Sequence, residues 1–154
     1  MKRFFDFIVS LALNLIWFSF WLYSLVISTN IPIRISETQF TTTVGLMVGF
    51  LLVMSIYLLK FSKIPKLSCT FLILEMLLWF ISFKDDSLVI IQTPSDVMNS
   101  NIAATGLLVT TILLFFAYRR VIVLKKLKRK NKLKTISDRR KESLSSNDEN
   151  KKAS

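Results

Sequence analysis

The 154-residue chain has no histidine, a single cysteine, three glycines and three prolines. Without an imidazole there is no His-based acid–base catalysis, no His metal ligand and no side chain that switches charge unaided near neutral pH. Cys69 alone forms neither an intrachain disulfide nor a multi-cysteine metal site. Charge is sparse as well, at 20% of residues, and it is crowded at one end. Residues 1–118 hold 7 Lys/Arg and 6 Asp/Glu, whereas residues 119–154 hold 14 and 4, so the net +11 belongs almost wholly to the last part of the chain. There is no G-x-S-x-G, no P-loop, no G-x-G-x-x-G and no H-E-x-x-H. The sequence therefore predicts no enzyme, no cofactor and no metal ion.

Apolar surface is what the chain has in excess. Hydrophobic residues make up 52%, 13 of them Phe and 3 Trp, with a mean hydropathy of +0.49. A water-soluble core in so short a chain could not hide it. Four runs are long enough to cross ~30 Å of hydrocarbon at about 1.5 Å per residue. They cover residues 4–28, 41–59, 67–83 and 102–122, the last extended past Arg119 and Arg120 if those side chains snorkel to the headgroups. Backbone amides have no water partners in lipid, so each run must be a helix. The fold class expected is an all-α membrane protein: a four-helix transmembrane bundle over residues 1–124 and a basic, largely disordered tail over 125–154. A cleaved signal peptide is the competing reading of the first run. That run is too long for one, and no small-x-small cleavage site follows it.

Orientation follows from the cations. With the N-terminus in the cytosol, Lys2, Arg3, Lys60, Lys63, Lys66 and the 14 tail cations all lie inside, leaving only Arg34 and Lys84 outside. Four spans and the positive-inside rule thus agree on cytosolic termini in the plasma membrane. The outer loops each contain a short β-favouring run, Ile31–Ile35 and Leu88–Gln92, which either pair as a ribbon or dip into the headgroups.

Polar residues within the spans mark where helices meet. Asp6, Ser10, Asn14, Trp17, Trp21, Ser24 and Ser28 fall at near-heptad spacing on the first span, a seam suited to helix pairing. Asp6, close to the inner interface, is read as solvated. Glu75 sits at the middle of the third span, with Ser68 and Ser82 seven residues to either side on the same stripe. Facing lipid, a mid-span carboxylate costs roughly 2.5–3.5 kcal/mol, so it must face protein or water. Asn14 lies at similar depth and is expected to hydrogen-bond Glu75, with Ser10 and Ser68 nearby. Three roles stay open for Glu75: a structural carboxyl inside the bundle, a contact to a partner helix, or an ion pathway.

The second span contains Gly45-Leu-Met-Val-Gly49, with Thr42 one turn earlier, and the fourth contains Gly106. Small residues at this spacing let backbones approach closely. Packing within the bundle is the expected use of the Gly45/Gly49 face, with dimerisation as the alternative.

Residues 119–134 carry nine cations. Arg119, Arg120, Lys125, Lys126, Lys128, Arg129 and Lys130 are read as binding anionic lipid headgroups, at ~1 kcal/mol per residue near the surface. The cluster has no aromatic residue for stacking on bases, so nucleic acid is not expected as a partner. The partners expected are lipid and another membrane protein, or a second copy. The function expected is that of an accessory, regulatory or immunity-type subunit, acting through the Asp6–Ser28 seam and the Gly45/Gly49 face. The alternative is a small oligomeric proton-linked transporter or channel centred on Glu75. The plan of four spans with both ends inside resembles that of membrane immunity proteins, in topology only. Small multidrug transporters are similar in helix count and in using one embedded Glu, which they carry in the first span.

Overall fold

In the computed structural model, the described residues are 2–28, 36–87 and 94–152, and nearly all are helical. Helix α1 covers Lys2–Ser28, α2 Glu37–Ile56, α3 Pro65–Ser87 and α4 Pro94–Lys152. A π-helical turn, Tyr57–Phe61, closes α2. Each of the four helices contains a stretch long and apolar enough to cross a membrane. The β-favouring runs Ile31–Ile35 and Leu88–Gln92 lie outside the described residues.

Helix ends fall beyond the apolar runs because capping, not hydropathy, sets them. Ser36 Oγ accepts from Gln39 N at 3.2 Å and Gln39 Oε1 accepts from Ser36 N at 3.2 Å, a capping box that starts α2 four residues before its apolar run. Glu37 in the first turn favours the positive helix end. Pro94 opens α4, where its missing N–H costs nothing, and Asp96 follows in the first turn.

Residues 1–120 form one compact unit and 121–154 a second. In the first unit the usual order of a soluble protein is inverted. Phe4, Phe5, Leu52, Phe80 and Leu108 are exposed, whereas Asp6, Ser10, Asn14, Ser68, Glu75 and Thr110 are buried. Apolar side chains gain nothing by hiding from lipid, and polar groups gain much, so this arrangement is that of a bundle embedded in a bilayer. Trp17 sits at its centre. It stacks on Phe50 of α2 at 5.3 Å and lies 6.0 Å from the ring of Trp79 of α3. Its Nε1 donates to Thr110 Oγ1 of α4 at 3.0 Å. One side chain thereby ties α1 to the other three helices.

In the second unit the helix continues through Lys152, where a disordered tail was expected from composition. The segment has no Gly or Pro to stop it and is rich in Lys, with Leu and Arg among the rest, all good helix formers.

Candidate functional site

Three features of the bundle carry chemistry: a polar column along α1, a knot at its basic end, and an open glycine face on α2.

The column is built from the α1 seam. Ser10 Oγ and Ser68 Oγ share a hydrogen bond of 2.8 Å, and Trp21 Nε1 donates to Ser82 Oγ at 3.0 Å. Residue numbers rise together across these two rungs, so α1 and α3 run parallel. Against α4 the pairs run the other way: Trp17 with Thr110, and Ser24 Oγ donating to Asn99 Oδ1 at 3.4 Å. Thr110 also donates to the Gly106 carbonyl at 2.7 Å, which uses its hydroxyl on both sides. Ser10, Trp17, Trp21 and Ser24 of the seam thus find hydrogen-bond partners within the chain.

Asn14 and Glu75 lie between the two α1–α3 rungs and are 2% and 3% exposed. The hydrogen bond expected between them is not made. Asn14 Nδ2 turns back to the Ser10 carbonyl at 2.6 Å, as a polar side chain in a helix does when the i−4 carbonyl is in reach. Asn14 Oδ1 and Glu75 Oε2 are left buried without a hydrogen-bond partner, as is Trp79 Nε1 one turn along α3. Two acceptor oxygens in this position cost about 1–3 kcal/mol each if nothing meets them.

The knot is made at the end where α1 begins. Asp6 is 6% exposed, not solvated as expected. Its Oδ1 accepts from Tyr57 Oη at 2.9 Å, and its Oδ2 accepts from Lys63 N at 2.9 Å and Ile64 N at 3.0 Å. The π turn sets Tyr57 for this contact, and Tyr57 Oη also lies 3.0 Å from the Asp6 carbonyl. From α4, Arg120 Nε donates to the Ser62 carbonyl at 3.2 Å and its Nη2 to the Lys60 carbonyl at 3.2 Å. A carboxylate takes the loop's free N–H groups and a guanidinium takes its carbonyls, so residues 60–64 are held from both sides. Arg120, read from the sequence as a lipid-headgroup residue, is half-buried and makes these two backbone contacts. Arg119 is exposed. The contacts also place Lys60, Lys63 and Arg120 at one end of the bundle.

The four small residues divide. Gly106 is buried against α3, where a Cβ would stand 2.5 Å from two atoms of the Trp79 ring. Thr42, Gly45 and Gly49 are exposed, and a Cβ on either glycine would meet nothing within 4 Å. The α2 glycine face is therefore not a packing surface within the chain, correcting that expectation. Beside it a groove of about 480 Å³ runs between α1 and α2, lined by residues including Ile16, Phe20, Tyr23, Thr42 and Leu46.

No family model, characterised protein or solved structure matches the chain. Among the described residues no three His, Cys, Asp or Glu side chains gather as metal ligands. Sequence reasoning missed the knot. Its signal was present, since Asp6 and Arg120 are each a charge at the margin of an apolar span, but nothing in the sequence says they meet the same loop. In the second unit Lys125, Lys126, Lys128, Arg129 and Lys130 are all exposed.

Proposed function

We propose that the chain is a non-enzymatic, multi-pass protein of the cell membrane with both termini in the cytosol, and that it works by docking the outer face of α2 against a transmembrane helix of another membrane protein. The observation supporting this is the unfilled space over Gly45 and Gly49. In lipid, helices associate through close packing and not through hydrophobic transfer, so a bare glycine pair flanked by exposed Leu46, Val48, Leu52 and Val53 is the surface where a second helix gains most contact. The exposed cations of residues 125–130 hold the cytosolic segment to anionic headgroups.

A photo-crosslinking residue at Leu46 or Val48 in native membranes tests the docking face. A discrete adduct that Gly49→Leu removes, while the variant still inserts and accumulates, is expected. If neither position gives an adduct, or the adduct persists in Gly49→Leu, α2 does not dock through this face.

A further inference from the structure

Independently of the α2 face, a second groove lies between α3 and α4 and ends at cations. It has a volume of about 380 Å³ and is lined by Cys69 and Ile73 of α3 and by Thr111, Leu114, Phe115 and Tyr118 of α4. We infer that it seats one acyl chain of an anionic phospholipid, whose phosphate is met at the rim by Lys66 and Arg119. The groove opens outward, since Ile73, Phe115 and Tyr118 are exposed. From Thr111 to Tyr118 it follows α4 for about 10 Å, a third of the ~30 Å hydrocarbon core. The Thr111 hydroxyl is spent on the Leu107 carbonyl at 2.8 Å, which leaves the wall largely apolar until Tyr118 is reached. Arg120 fixes which end this is. Its bonds to the Lys60 and Ser62 carbonyls set Tyr118 and Arg119 at the level of the loop from which α3 starts. A tyrosine at that level suits the boundary between hydrocarbon and headgroups.

Charge selects the lipid. Lys66 precedes Cys69 by three residues and Ile73 by seven, and Arg119 follows Phe115 by four, so each cation shares a helix face with the lining of the groove. Helical side chains incline toward the N-terminus of their own helix, which carries the Arg119 guanidinium back over Phe115. Both cations are exposed. Residues 57–70 and 111–120 contain no Asp or Glu. Asp6, the acid at this end, is already met by three donors. Glu37, Asp85, Asp86 and Asp96 stand at the opposite ends of their helices. A phosphate is the anion that a guanidinium and an ammonium meet with charge-assisted hydrogen bonds. Any groove on a lipid-facing surface fills with hydrocarbon, so the headgroup decides which lipid stays. The larger groove between α1 and α2 shows the contrast: no Lys or Arg lines it, and Glu37 adjoins Thr38 of its wall. A zwitterionic headgroup brings its own ammonium to the rim and gains less from two cations than an anionic one.

Two lipid probes test this, phosphatidylglycerol and phosphatidylcholine carrying the same diazirine-bearing acyl chain, with the full chain in mixed vesicles of those two lipids and adducts mapped by mass spectrometry. At residues 69–73 and 111–118 the phosphatidylglycerol probe is expected to label in excess over the phosphatidylcholine probe, and by more than along the exposed face of α2. The excess expected is up to roughly fivefold for each cation, ~1 kcal/mol near the surface. The double variant Lys66→Gln, Arg119→Gln, at two exposed positions, lowers labelling of the groove to the α2 level. Gln at Lys125, Lys126, Lys128, Arg129 and Lys130 leaves the excess standing, and soluble glycerol phosphate does not compete. An excess no greater than that along α2, one that survives the double variant, one that vanishes with the tail cations, or competition by glycerol phosphate would each overturn the assignment.

Discussion

The three glycines invite the same substitution with opposite results. At Gly106 an added methyl would lie 2.5 Å from ring atoms of Trp79. Ordinary contact begins near 3.4 Å, so the ring or the helix must yield by about 0.9 Å. Trp79 has little freedom to do so. It is fully buried, and the Trp17 ring, itself stacked on Phe50, lies against it. Overpacking of this kind costs about 1–3 kcal/mol, set against the ~0.5–1 kcal/mol by which Ala is the better helix residue. The net expectation for Gly106→Ala is a loss of up to roughly 2 kcal/mol. At Gly45 and Gly49 nothing stands within 4 Å, so only the helix term remains and each Ala should be neutral or stabilising by up to ~1 kcal/mol. Thermal unfolding of the purified variants in detergent measures the difference. On the scale of soluble chains this size, 1 kcal/mol corresponds to about 2–4 °C in Tm. A Gly106→Ala protein at least as stable as Gly49→Ala would refute the packing argument. Full-size Leu at Gly49 separates the two roles of that face: the isolated chain tolerates it, and partner crosslinking does not.

Three further outcomes follow from the basic end and the tail. Asp6→Ala leaves the Lys63 and Ile64 N–H groups without their acceptor; hydrogen bonds to a charged group are worth roughly 1.5–3 kcal/mol each, so a loss above ~3 kcal/mol is expected in thermal unfolding, and an unchanged Tm would refute the knot. Arg120→Ala should speed tryptic cleavage within residues 60–66, while Arg119→Ala, at an exposed position, should not; equal rates would show that the guanidinium does not hold the loop. Replacing Lys125, Lys126, Lys128, Arg129 and Lys130 by Gln should weaken association of a tail-labelled chain with anionic vesicles by up to ~1 kcal/mol per residue, and moderate salt should do the same to the wild type. Binding insensitive to both would remove lipid from the tail's partners.

The sequence by itself determined the four helices, the apolar stretches that suit them to a membrane, and the concentration of cations beyond residue 118. These depend on run length, composition and the lack of helix breakers, which a chain carries locally. Two helices start earlier than hydropathy placed them, at Ser36 with Gln39 and at Pro94 with Asp96, because local capping and not apolar run length sets the first turn. Periodicity showed that Asp6, Ser10, Asn14 and Trp17 share a stripe, and likewise Ser68 and Glu75. It did not say which stripe faces which, because a helix face is a direction and a neighbour is a position in space. Only the tertiary structure brought Asp6 and Arg120 to the same loop, put Gly106 under Trp79 and turned Gly45 and Gly49 outward. It also decided the fate of Asn14, whose amide donates to the Ser10 carbonyl one turn back and not to Glu75.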